Sequence, residues 1–163
     1  MANKTHIAFR KMNGLGNAFV VIDARMHPLA LTGDDARALA DAANPATKGC
    51  DQVLLIHPSR EANADAVFMQ IFNADGGEVE ACGNGARAVA AFLAKDSRSQ
   101  VTLETLGGVL HCSTQVDADT AQVSIHMPLP IFGAPVSLRA DLPDALPVNM
   151  GNPHGVFFIE TDT

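Results

Sequence analysis

The chain is poor in cysteine and in positive charge, and it has no long apolar run. Its three cysteines, Cys50, Cys82 and Cys112, are an odd number at irregular spacing, which excludes a disulfide framework. No CxxC and no HxxxH pair occurs, so a structural zinc site has no ligand spacing to rest on. Eleven Lys and Arg face 18 Asp and Glu, for a net charge of -7, and no basic stripe is present to follow a nucleic-acid backbone. No apolar stretch approaches the roughly 18 residues that span a bilayer. The opening MANKTHIAFR has no apolar signal-peptide core, so Asn3-Lys4-Thr5 reads as an idle sequon. Reduced thiols and a cytoplasmic location are expected. There is no Gly-Lys-Ser/Thr of a phosphate loop, no internal repeat and no low-complexity segment.

What is present suits a packed core. The 163 residues are 47% hydrophobic and 18% charged, which predicts one domain over 1–163. Strands are expected over His6–Met12 and Ala18–Asp23, about the polar glycine turn Asn13-Gly14-Leu15-Gly16-Asn17. Thr32 with Asp35 makes a capping-box start, and Ala36, Leu39, Ala40 and Ala43 give the helix after it an apolar face ending before Pro45. Val53–Ile56 and Val67–Phe72 read as short strands. Ala86, Val89, Ala90 and Leu93 predict a helix over Asn84–Lys95 that is apolar nearly all round, broken chiefly by Arg87. Val101–Thr105 and Val109–Thr114 about Gly107-Gly108 are the clearest hairpin, and Ala121–Met127 adds a strand. Pro128–Pro147 reads as loop and edge, and Gly155–Glu160 as a last strand. Strands and helices do not alternate regularly, so an α+β fold, a sheet wrapping a buried helix, is expected rather than a doubly wound one.

The chemistry concentrates in EACGNGARAVAAFLA, Glu80 to Ala94. Three readings of Cys82 compete. A lone cysteine usually packs. Gly83, Gly85 and Ala88 also fit a G-x-G-x-x-A nucleotide fingerprint, but a charged turn stands where a strand should precede it, which weighs against that reading. The third is a reactive thiol beside an anion pocket. The small residues Gly83-Asn84-Gly85 let a ligand approach the first unpaired N–H groups of a helix, which attract anions and draw thiols toward the thiolate form. There a thiolate is suited to take a proton α to a carboxylate, with the helix N–H groups stabilising the charge that develops. Glu78 and Glu80 oppose this if they point at the sulfur. A covalent hydrolase would need a partner such as His111 or His154.

Five motifs in order sharpen the choice: Lys11-Met12-Asn13-Gly14-Leu15-Gly16-Asn17-Ala18-Phe19, Gly49-Cys50-Asp51-Gln52, Phe72-Asn73-Ala74-Asp75-Gly76, Ala81-Cys82-Gly83-Asn84-Gly85-Ala86-Arg87 and Met150-Gly151-Asn152-Pro153-His154. Together they resemble the diaminopimelate epimerase family, from near residue 6 to near residue 160. The resemblance implies two similar domains, each a β-sheet barrel around a central helix. It implies a cofactor-free enzyme that interconverts LL- and meso-diaminopimelate, toward lysine and peptidoglycan, with one cysteine from each domain acting as base and acid across Cα.

By the same resemblance Cys82 is the cysteine of the N-terminal domain. Gly83 and Asn84 bind the reacting carboxylate, Asn17, Gln52, Asn73 and Asn152 line the substrate site, and His154 stands beside it. No metal is implied. Without the resemblance, Asn17, Asn73 and Asn152, each in a stretch with glycine or proline, read as turn residues, Gln52 and His154 carry no signal, and Cys50 and Cys112 read as packing.

The sequence departs from the family pattern in places. Ala18 stands where an acidic residue is usual, Asn13 replaces a common His, and Ala88 a common Cys. A second Cys-Gly-Ser/Thr-Gly-Ala entrance is absent, so a C-terminal domain carrying the second cysteine is expected in a longer parent. The chain alone is expected not to epimerise. A homodimer is compatible with this reading, as are a non-catalytic module of the same fold and an isomerase of proline, hydroxyproline or a phenazine precursor.

Overall fold

The computed structural model describes residues 7–61, 65–94, 99–116 and 120–159. They form two compact units divided between His126 and Met127. In the first, β1 (Arg10–Gly14), β2 (Asn17–Asp23), β3 (Gln52–Pro58), β4 (Ala66–Asn73), β5 (Gln100–Thr105), β6 (Gly108–Val116) and β7 (Ala121–His126) make one curled half-barrel sheet in sequential order. The pairs β2–β3 and β4–β5 are parallel and the other pairs antiparallel. A parallel neighbour requires a crossover. Helix α1 (Gly33–Ala40) lies in the first crossover and α2 (Gly83–Ala94) in the second.

The two helices occupy opposite faces. Phe19, Val21, Leu54, Ile56, Met69 and Ile71 pack with Ala86, Val89, Ala90 and Leu93 of α2, whereas Val20, Ile22, Val53, Leu55 and Phe72 pack with Ala36 of α1. Alternate residues of one strand serve alternate faces. The strands covered on both sides are therefore continuous apolar runs. The handedness of crossovers accounts for the arrangement. β2 and β4 run in opposite directions and both cross toward the next strand along the sheet, so crossovers of one hand must fall on opposite faces. On its face, α2 touches all seven strands.

Local chemistry sets the ends of α1. The Asp35 N–H donates to Thr32 Oγ1 at 3.2 Å, and the Thr32 N–H to Asp35 Oδ2 at 2.9 Å, completing the expected capping box. The helix ends at Ala40, so Ala43 lies beyond the apolar face assigned to it. Side chains take the last carbonyls there: Thr47 Oγ1 donates to Leu39 O at 2.6 Å and Asn44 Nδ2 to Ala38 O at 2.8 Å. The turn after β4 then packs on the start of α1. Gly76 has φ +82°, and a Cβ there would sit 2.3 Å from Gly33 O.

The second unit is a three-stranded sheet, β8 (Ile131–Phe132), β9 (Leu146–Asn149) and β10 (Pro153–Val156), in the order β10-β9-β8. The last strand lies earlier than Gly155–Glu160 because its register with β9 runs from Pro153↔Asn149 to Val156↔Leu146, where β9 begins. High β-propensity in Phe157–Ile159 does not extend a strand whose partner has run out. His6, Lys95 and Glu160, ends of expected elements, lie outside the described residues.

Candidate active site

Topology brings four chain segments to one end of the half-barrel. The parallel strands β2 and β3 begin there, antiparallel β4 finishes there, and α2 starts one loop later. Asn17 is the first residue of β2, Gln52 the first of β3 and Asn73 the last of β4.

Cys82 is the residue that caps α2. The Ala86 N–H donates to its carbonyl at 2.8 Å, and the Gly85 N–H donates to its Sγ at 3.3 Å. The sulfur thus takes the place an oxygen holds in the usual N-cap. Gly83 and Asn84 follow as the first helical residues, and their N–H groups have no intrahelical partner. A Cβ on Gly83 would meet nothing within 4 Å, so the backbone there faces open space. A Cβ on Gly85 would sit 3.3 Å from a methyl of Leu54 and 3.4 Å from Cys82 Sγ. The entrance therefore rests on the core at Gly85 and is open at Gly83. Cys82 is half-buried and also packs against the core cluster, so it has a packing role as well.

Glu78 does not crowd the sulfur through its carboxylate: it accepts from Gln70 Nε2 at 3.0 Å, on a side chain of β4 away from α2. The other two thiols sit in different surroundings. Burial pushes Cys50 up from 9.0, and it pushes Cys112, facing the core from β6, up to about 11.

The polar residues named from sequence fall into three groups. Asn84 Nδ2 donates to Asn17 Oδ1 at 2.8 Å, tying the start of α2 to the start of β2. Gln52 Nε2 donates to Asn73 Oδ1 at 2.9 Å, between residues directly opposite on β3 and β4. Asn152 and His154 belong to the second unit, where His154 Nε2 and Asn152 Oδ1 are 2.9 Å apart.

Two further residues enter the network. Arg87 donates to Asn84 Oδ1, and Asp51 accepts from Asn17 Nδ2 at 3.4 Å and from the Ala18 N–H at 2.7 Å. Both stand inside recognised motifs. By sequence Arg87 reads as a break in an apolar helix, although its i,i+3 spacing from Asn84 puts the two on one helix face. Among the described residues, no group of three or more His, Cys, Asp and Glu is arranged to hold a metal ion. No described helix is long and apolar enough to cross a membrane, which says nothing of strands.

Comparison with known proteins gives one family. Residues 9–128 match the family described as diaminopimelate epimerase. The chain is 46% identical over 164 residues to the diaminopimelate epimerase of Rhodospirillum centenum, covering 93% of this chain and 55% of that protein. It is 43% identical over 162 residues to that of Sphingopyxis alaskensis, covering 93% and 56%. The chain thus spans little more than half the length of these curated relatives. Among solved structures, it resembles a Pseudomonas aeruginosa protein described as a predicted epimerase, with a TM-score of 0.70 at 16% identity over 91% of this chain and 57% of that one. It also resembles a probable proline racemase of Agrobacterium radiobacter, with a TM-score of 0.67 at 15% identity over 93% and 52%. At such identities these two likenesses speak for the fold alone.

Proposed function

The chain belongs to the diaminopimelate epimerase family, and from that premise we propose that it supplies one catalytic half of a cofactor-independent epimerase acting on diaminopimelate. The observation that carries the reading is Cys82 capping α2 beside two N–H groups without intrahelical partners and an open face at Gly83. In this reading the thiolate of Cys82 takes the proton from Cα, and the bonding pair moves into the adjoining carboxylate. The N–H groups of Gly83 and Asn84, with the positive end of the α2 dipole, stabilise the charge as it grows. Asn17, Gln52 and Asn73 hold the substrate's polar groups at the same end of the half-barrel; Asn152 has a substrate-binding role and His154 an auxiliary one, by the motif they share with the family.

Inversion requires an acid on the opposite face of Cα. A second domain carrying its own cysteine entrance would supply it, and α2 would then be the central helix of the first barrel. Exposed apolar side chains of the second unit, among them Leu129, Ile131, Phe132 and Phe158, support a covering partner of that kind. Chemistry that depends on a reduced thiol fits the cytoplasm.

The test is deuterium incorporation at Cα of diaminopimelate in D₂O, using this chain and a version extended to the length of its relatives. The extended protein is expected to exchange and invert, its Cys82→Ala variant to lose inversion, and the 163-residue chain to invert nothing. Full inversion by the short chain, or undiminished inversion without Cys82, sinks the proposal. A parallel panel of proline and hydroxyproline tests the substrate: preference for either would reassign it.

A further inference from the structure

A primary amide can be turned end for end at little cost unless its neighbours forbid it. At the α2 entrance the neighbours do forbid it. A guanidinium can only donate hydrogen bonds and an ionised carboxylate can only accept them. Arg87 donates to Asn84, so Asn84 must present Oδ1 to it. Asn84 is then left with Nδ2 toward Asn17, which accepts through Oδ1 at 2.8 Å. Asn17 is left with Nδ2 toward Asp51, whose Oδ2 lies at 3.4 Å. Turning either amide would set donor against donor at one junction or acceptor against acceptor at the other.

The far end is itself anchored. The Asp51 carboxylate accepts the Ala18 N–H at 2.7 Å, and the Asp51 N–H donates to the Ala18 carbonyl at 2.8 Å. The chain of bonds therefore runs from the third turn-neighbour on α2, across the start of β2, to the residue before β3, with a charge of fixed character at each end.

We propose that Arg87 and Asp51 are positioning residues that act through Asn84 and Asn17, locking both amides in one orientation and holding the first turn of α2 to β2. The lock decides what the entrance offers a ligand. Oδ1 of Asn84 is engaged by Arg87, so Asn84 offers a ligand only donors, its backbone N–H and the second hydrogen of Nδ2. Asn17 has its carbonyl oxygen turned to Asn84 and offers its second amide hydrogen. Together with the Gly83 N–H, these donors match the carboxylate of the proposed substrate. This consequence rests on the epimerase reading; the lock itself does not.

The experiment follows the side-chain amide signals of Asn17 and Asn84 by NMR in the ¹⁵N-labelled chain, with Arg87→Met, Arg87→Lys and Asp51→Asn variants. Backbone spectra establish that each variant is folded. The lock predicts transmission in both directions. Arg87→Met shifts the Asn17 amide as well as that of Asn84, and Asp51→Asn shifts the Asn84 amide as well as that of Asn17. Hydrogen exchange at both amides speeds about tenfold, the scale of one charge-assisted hydrogen bond, and Arg87→Lys restores the parent pattern in large part. If each substitution disturbs only the asparagine beside it, the proposal is overturned, as it is if lysine restores nothing. Cα deuterium exchange in the extended protein separates the two readings. Transmission together with about tenfold slower exchange in both variants supports the lock and the epimerase reading. Transmission in a protein inert toward diaminopimelate upholds the lock and counts against the epimerase.

Discussion

Alkylation of the three thiols by iodoacetamide is a direct test of the site, because the structure sorts them by surroundings. Cys112 lies on β6 with its side chain in the main core, 3% exposed, and burial pushes its thiol from 9.0 to about 11. A pKa two higher leaves about a hundredfold less thiolate near pH 7.5, and the thiolate is the species that attacks. Access lowers the rate again, since the reagent must wait for the sheet to open locally. Cys50 is half-buried and also pushed up, chiefly by burial. Cys82 stands at a helix entrance whose next residue faces open space. The expected order at pH 7.5 is Cys82 first, Cys50 next and Cys112 last, with Cys112 at least about a hundredfold slower than an ordinary thiol. The assay is timed labelling, digestion and peptide mass spectrometry, with a urea-unfolded control in which the three rates converge. Cys112 or Cys50 reacting before Cys82 in the folded chain would refute the reasoning, because it would mean the surroundings described do not govern these thiols.

Other consequences concern the frame that carries the entrance. Leu54 is fully buried beneath Gly85, so Leu54→Ala should cost about 2–5 kcal/mol of stability, read as a lower urea midpoint. Gly76→Ala forces an L side chain to φ +82° and a Cβ to 2.3 Å from Gly33 O, so a loss of more than about 1 kcal/mol is expected by the same measurement. Thr32→Ala removes one half of the α1 capping box and should cost about 1 kcal/mol, whereas Thr32→Ser should cost little. Asp23 is held below 3.8, first by its side-chain hydrogen bond from Arg25. Its folded value lies under its unfolded one, so its contribution is whole above about pH 3.8 and is lost as pH falls through the folded value. Asp23→Asn should therefore flatten the decline of stability in that acid window, and an unchanged acid limb would contradict the assignment.

Much of the fold could be read before any coordinates because its signals are local. The Thr32–Asp35 box, the apolar spacing through Ala86, Val89 and Leu93, and the Gly107-Gly108 hairpin each act within a few residues, where capping, periodicity and turn geometry operate. The errors have the same origin seen from the other side. Ala43 fell outside α1 because Thr47 and Asn44 take its carbonyls, and the last strand moved to Pro153–Val156 because β9 dictated its length. Thr47 lies beyond the expected helix and β9 beyond the expected strand, so each limit was set from outside the element.

The sequence by itself determined the family, the order of elements in the first unit and the cysteine at the entrance of α2. Motif spacing and local propensity carry that information residue by residue. Only the tertiary structure decided which polar groups meet. Asn84 meets Asn17 across 67 positions, and Asn17 meets Asp51 across 34. Pairings of that kind depend on strand direction and register, and on which face each crossover helix covers. Those properties belong to the whole sheet, and no stretch of chain holds them alone.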